Sequence, residues 1–322
     1  MTYATGTITD ANPGPTLYAA MEATFLAAGF TLVDTVVIGS RTHKVLKSDA
    51  ADNDRGLTWY LDVSYPTTGT SGGMFMAPFE DFNPATDLAY RGPYTGASNT
   101  TIESTYYSRF GATGSALEAS WANTTSFANL DNALTTGAMG WFLSATTDRV
   151  IFASTASAAE LHYVGFFEPT ADHVTAAGAA LYPLIVAHFN TAASTAACTT
   201  SAAASMAFTR VPPMTAINWG TAGFIDIAYA QMGGTIGSGG NFAATGKTNL
   251  AKRPIVMGAG SLSSSSASTA TGGLGLVGFL IDVANSWTDG TVQRGDDLTD
   301  TNADEWIGVD DSSNVGLWFR AV

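Results

Sequence analysis

Residues 140–190, GWFLSATTDRVIFASTASAAELHYVGFFEPTADHVTAAGAALYPLIVAHFN, constrain this chain more than any other stretch. Two short apolar runs, 141–145 and 149–154, meet at the turn-prone residues Thr146-Thr147-Asp148-Arg149, the pattern of a β-hairpin. A third run, 161–167, is rich in aromatic and β-branched residues. It is expected to stop at Glu168-Pro169, because proline has no N–H to give to a ladder. The product is a three-stranded antiparallel meander carrying Trp141, Phe142, Ile151, Phe152, Tyr163, Phe166 and Phe167. Such an aromatic load needs cover from elsewhere in the chain.

Size and charge bound what that cover is. At 322 residues there is room for two domains or one large β-rich one. Charged residues make up 12% of the chain, about half the usual level. Ala, Thr, Ser and Gly take their place, a composition that suits a stable, weakly charged surface of the kind that packs against other subunits. The net charge is −14, with 27 acids scattered against 13 bases. That balance repels phosphates and anionic headgroups, so neither nucleic acid nor membrane is an expected partner. A lone cysteine, Cys198, rules out an internal disulfide and leaves stability to packing. The opening MTYATGTITD lacks the charge and apolar core of a signal peptide, and the longest apolar stretches, 176–189 and 273–284, are too short to span a bilayer. A soluble protein made in a cytoplasm is the expectation.

Taken in order, residues 2–9 alternate as a first strand, and Asn12-Pro13-Gly14-Pro15 is a breaker. Thr16 is expected to cap a helix over 16–28 whose stripe is Leu17, Met21, Phe25 and Ala28, closed by Gly29. Strands follow at 31–38, with Leu32, Val36 and Ile38 on one face, at 42–47, and at 57–65, where Leu57, Trp59, Leu61, Val63 and Tyr65 alternate with polar residues. The polar loop 49–56 between the last two does not order its acids as a calcium loop would. One helix and three strands make a small α/β unit with an antiparallel sheet. Residues 74–90 are apolar but broken by Pro78 and Pro84, which fits edge strands or an ordered loop.

Residues 91–129 form a long Ser/Thr/Ala/Tyr-rich segment that holds Arg91, Tyr94, Tyr106, Tyr107, Arg109, Phe110 and Trp121. Aromatics and arginine anchor interfaces, so these seven are the candidate contact residues; covering a sheet edge of their own chain is the competing role. Residues 170–190 fit helix or strand. The low-complexity run 191–205 is the candidate boundary between an N-terminal α+β domain, 1–190, and a C-terminal β-rich domain, 191–322. Strand-like runs resume within 206–232, at 253–257 and 274–283, and at the C-terminus through Val315, Leu317, Phe319 and Ala321.

Chemistry-bearing patterns are sparse. His43, His162, His173 and His188 show no metal-ligand spacing. GGTIGSGG at 233–240 lacks the Lys-Ser/Thr of a phosphate loop. Glu80-Asp81 and Asp304-Glu305 are adjacent carboxylates that a strand would send to opposite faces, so neither pair can by itself flank a glycosidic bond. Asp300, Asn302 and Asp304 alternate as calcium ligands do, yet Glu305 stands where the glycine of that loop belongs, and an acidic surface loop is preferred. No catalytic residue, cofactor or metal is expected.

From residue 140 onward the chain resembles a group of minor virion proteins of tailed bacteriophages. The resemblance rests on Trp141-Phe142, Asp148-Arg149-Val150-Ile151, Tyr163-Val164-Gly165-Phe166 and Tyr182-Pro183-Leu184-Ile185. Upstream, AAGFTLVDTVVIGSRTHKVLKS and WYLDVSY share its character, so it covers residues 16–190 and leaves 191–322 aside. It implies a structural role in a virion, with other virion proteins and further copies of this chain as partners. A multi-copy component on the particle exterior, at tail, neck or baseplate, is the first expectation. Capsid decoration and an adhesin for a host-surface glycan are the alternatives.

Overall fold

A computed structural model describes residues 1–38, 41–68, 74–79, 138–154, 160–170, 184–190, 206–209, 225–226, 250–257, 275–287, 295–311 and 315–321. Among these the chain is mostly β, with curled antiparallel sheets and one helix.

Helix α1 spans Pro13–Ala27, starting three residues earlier and ending one residue earlier than the sequence suggests. Asn12 is its N-cap, and the two prolines expected to break the chain sit in or beside the first turn. They are tolerated there because the N–H groups of a first turn have no helical partner to lose. Asp10 organises the approach: its carboxylate accepts from Asn12 N at 2.9 Å and from Thr16 Oγ1 at 2.6 Å, so Thr16 tethers the turn rather than capping it. The helix ends as expected at Gly29, whose φ of 101° only glycine adopts freely. Gly29 N donates to Leu26 O and Phe30 N to Phe25 O, the paired bonds of a Schellman stop. Leu17, Met21 and Phe25 are fully buried.

That apolar stripe lies against a four-stranded antiparallel sheet in the order β2 (Thr31–Ile38), β3 (Arg41–Ser48), β4 (Trp59–Pro66), β5 (Phe75–Phe79). Leu46, Trp59, Leu61, Val63 and Tyr65 share one buried cluster with the helix. A bulge between Leu32 and Asp34 corrects one expectation. Leu32 stands opposite Leu46, whereas Val36 stands opposite His43 and Ile38 opposite Arg41, so the three do not share a face. One extra residue in a strand inverts the phase of all that follow.

Among the described residues the larger sheet has twelve strands. Its path runs β1 (Thr2–Ile8), β6 (Met139–Thr146), β7 (Arg149–Ser154), β8 (Glu160–Pro169), then β13 (Gly275–Trp287), β16 (Val315–Arg320), β15 (Glu305–Asp311) and β14 (Asp297–Thr299). Beside β8 lies β9 (Leu184–Asn190), which carries β10 (Met206–Thr209); beside β13 lies β12 (Leu250–Met257), which carries β11 (Ile225–Asp226). The meander is therefore present, and residues 184–190 resolve to strand. Strand β8 does not stop at Glu168. It continues through Pro169, which pairs with Gly278 of β13 as a terminal ladder residue, the position a proline tolerates.

Strands β8 and β13 are the hubs. Residues 160–166 of β8 pair with β9, and residues 167–169 then pair with β13. Strand β13 in turn leaves β8 at Leu280 and takes up β16 from Val283. Asp282 lies at that exchange and adopts a φ of 58°, a left-handed conformation that aspartate tolerates better than most residues. The two sheets meet through aromatic rings: Phe30 is edge-on to Trp59 at 5.4 Å, and Trp59 lies 5.8 Å from Phe166 of β8.

Candidate functional site

Three polar clusters stand out, each built around buried side chains. The first is the seat of the hairpin tip. The loop between β3 and β4 is knitted by Asn53, whose amide donates to Ser48 Oγ, Asp49 O and Leu57 O at 3.1, 2.8 and 2.8 Å. Its Oδ1 accepts from the backbone of Arg55 and Leu57. The stiffened loop receives the β6–β7 turn. Thr147 O accepts from Ser48 Oγ and from the Trp59 indole, both at 2.7 Å, and Thr147 Oγ1 donates to Asp52 O at 2.7 Å. Asp148 accepts from Asp54 N at 3.2 and 3.4 Å. On the far side, Asp148 O accepts from Phe166 N at 2.7 Å. Gly165 makes that approach possible: a Cβ there would lie 2.4 Å from Asp148 O, and its φ is 141°. Burial raises the Asp148 carboxyl above its ordinary value, and the nearby Asp54 charge adds to the effect.

The second cluster fixes the bend of β13. Arg149 is fully buried. Its Nε and Nη2 donate to Asp282 Oδ2 at 3.0 and 2.8 Å, and its Nη1 donates to Ser144 Oγ at 2.9 Å. Ser144 Oγ in turn donates to Arg320 O at 2.8 Å. Arg320 reaches Asp282 Oδ1 at 3.5 Å and Asp304 Oδ1 at 2.5 Å. Tyr163 stands beside them, donating to Phe166 O and accepting from Ile281 N. Burial pushes its phenol pKa far up, so it acts as a neutral donor. Planar guanidinium binding to a carboxylate suits a buried fixed joint.

The third cluster occupies the face of the small sheet turned away from α1. Arg41 donates from Nε to Ser64 Oγ and from Nη2 to Ser64 O, both at 2.8 Å. His43 Nδ1 lies 2.9 Å from Asp62 Oδ2. All four side chains are buried. His43 Nε2 has no hydrogen-bond partner among the described residues. A serine, a histidine and an aspartate therefore share one face, but Ser64 Oγ already accepts from Arg41 and the group is shut away from solvent. What this arrangement does chemically is orient and neutralise.

The seven contact candidates, Arg91, Tyr94, Tyr106, Tyr107, Arg109, Phe110 and Trp121, lie outside the described residues, as do Glu80-Asp81, His173, Cys198 and the glycine-rich 233–240. His162 is buried in β8. The acidic segment near the C-terminus is a turn held by Asp300. Its carboxylate accepts from Asn302 N, Asp304 N and the Trp306 indole. Dehydration pulls the other way, but those donors hold the Asp300 carboxyl below its usual value.

Sequence reasoning passed over Arg41, Asp62, Arg149, Asp282 and Arg320 as site residues. One signal was available. In a chain with 12% charged residues, Asp62 in WYLDVSY and Asp282 in GFLIDVANSW are single charges inside apolar strands, where a charge needs a dedicated partner. No protein-family model matches the chain, and a search of curated proteins finds no match.

Proposed function

We propose that this chain is a multi-copy structural component of a tailed-phage virion, on the particle exterior at tail, neck or baseplate, assembled in the host cytoplasm. Its partners are other virion proteins and further copies of itself, with Arg91, Tyr94, Tyr106, Tyr107, Arg109, Phe110 and Trp121 as the proposed contacts. Within that reading, residues 1–190 are an α+β domain and residues 191–322 a β-rich one, joined edge to edge where β8 meets β13. It is a building part, not an enzyme.

The observation that carries the reading is where the charges go. Arg41, Asp62, Asp148 and Arg149 are buried, in a chain that has few charges to begin with. They serve internal joints, and the chain as a whole carries few charges with a net of −14, which favours subunit contact and disfavours packaged DNA. The packing motifs of residues 140–190 lend the phage context. Gold labelling of lysate particles with an antibody to this chain tests it. Label on tail, neck or baseplate supports the placement, label spread over the head moves it to capsid decoration, and particles free of label and of the chain by mass spectrometry overturn it.

A further inference from the structure

We propose that the seat of the hairpin tip is an acid-tightened clasp between the two sheets, with Asp148 as the group that titrates.

The geometry leaves this carboxylate poorly served. Asp148 is 8% exposed, yet among the described residues the only donor to its oxygens is the single N–H of Asp54, at 3.2 and 3.4 Å. A buried carboxylate that is to stay ionised usually gathers two or three short donors. The charged groups facing it do not make up the shortfall. From the loop come Asp54, which repels it, and Arg55, which attracts it. Arg149, the next residue in the chain, attracts it too, but that guanidinium is directed to Asp282 and Ser144. Tyr163 faces it from β8 as a neutral phenol. Asp49 and Asp52 add acid to the same loop, and Lys47 is taken by Asp49.

Loss of hydration is the largest influence on Asp148, followed by its bond to Asp54 N, and the net effect is a carboxyl that holds its proton above the usual aspartate range. The native clasp then binds that proton more tightly than the open chain does. Stability of the clasp is highest when Asp148 is protonated, and it declines as pH rises from the ordinary carboxylate value through the native one. Acid tightens this joint, although it weakens the Asp300 turn at the opposite end of the sheet, whose carboxyl is lowered.

Hydrogen exchange followed by NMR, corrected for intrinsic rates, tests the clasp in the full chain from pH 7.5 down to about 4, the ordinary aspartate value. The reporters are Asp54 N–H and the Trp59 indole; Gly308 N–H and Ala321 N–H serve as references in β15 and after β16. The expected result is that protection of the reporters rises relative to the references as pH falls, by at most tenfold per pH unit, the limit for one proton. Asp148→Asn keeps an acceptor without the charge, so it should be protected at pH 7.5 and flat across the range. Asp54→Asn removes the repelling charge and should move the wild-type transition to lower pH. Reporters that track the references, an Asp148→Asn variant that keeps the slope or loses protection at neutral pH, or an unmoved midpoint in Asp54→Asn would each overturn the proposal. Should Asp148→Asn fail to fold, the wild-type profile and the Asp54→Asn midpoint decide it alone.

Discussion

The small sheet carries opposite chemistry on the two faces of its inner strands, β3 and β4. Toward α1 it presents Leu46, Leu61, Val63 and Tyr65; away from α1 it presents Arg41, His43, Val45, Asp62 and Ser64. An apolar face is graded, because each methylene contributes in proportion to the area it hides. A charged face depends on its partners: removing one member leaves the others dehydrated and unmatched. The same strands thus carry a tolerant side and a brittle one.

The sharpest test of that contrast is Asp62→Ala. It should cost about 3–5 kcal/mol, the range for breaking a buried pair, read as a lower urea midpoint at unchanged slope. Replacing both partners, with His43→Phe and Asp62→Leu together, should cost less than Asp62→Ala alone. If the double variant is the weaker protein, the brittle-face account is broken. Leu61→Ala on the opposite face should cost about 2–4 kcal/mol by lost burial and cavity formation. No second substitution nearby should rescue it except by refilling the volume. Gly29→Ala asks less: with φ at 101° the strain should be about 1 kcal/mol, increased by the Thr147 methyl that lies 2.8 Å from the new Cβ. Val37→Thr is the smallest, within about 0.5 kcal/mol, since Val37 is 60% exposed on the edge strand.

Much of this fold is written locally. Leu17, Met21 and Phe25 at helical spacing, Gly29 after them, and the turn at Thr146–Arg149 each point to their element without help from afar. The strands 57–65 and 161–167 are also legible, with ends displaced by one or two residues. What could not be read is whatever depends on a partner far away. Alternation in WYLDVSY implies a sheet wet on one side, yet Asp62 and Ser64 are as buried as Leu61 and Val63, because the face they occupy is covered as well. The bulge at Val33 leaves no mark in TLVDTVVI. Pro169 belongs to β8 through its pairing with Gly278 of β13, a strand far away in sequence. The charge pairs join residues such as Arg149 and Asp282, which stand 133 positions apart, and no spacing rule connects them.

The pairing of β1 has a consequence for how the chain is made. Thr2 sits opposite Ala145, and its hydroxyl reaches Ala145 O across 143 positions of sequence. At translation rates of about 5–20 residues per second, the first strand waits roughly 7–29 s for its partner to be synthesised. During that interval its backbone N–H and C=O groups face solvent, and so do those of any other nascent copy nearby. Helix α1 and the hairpin of β2 and β3 can already be complete, since their contacts are near in sequence. Closure of the large sheet is therefore a late event, and the wait, more than the finished fold, is when two newly made chains are most prone to pair with each other.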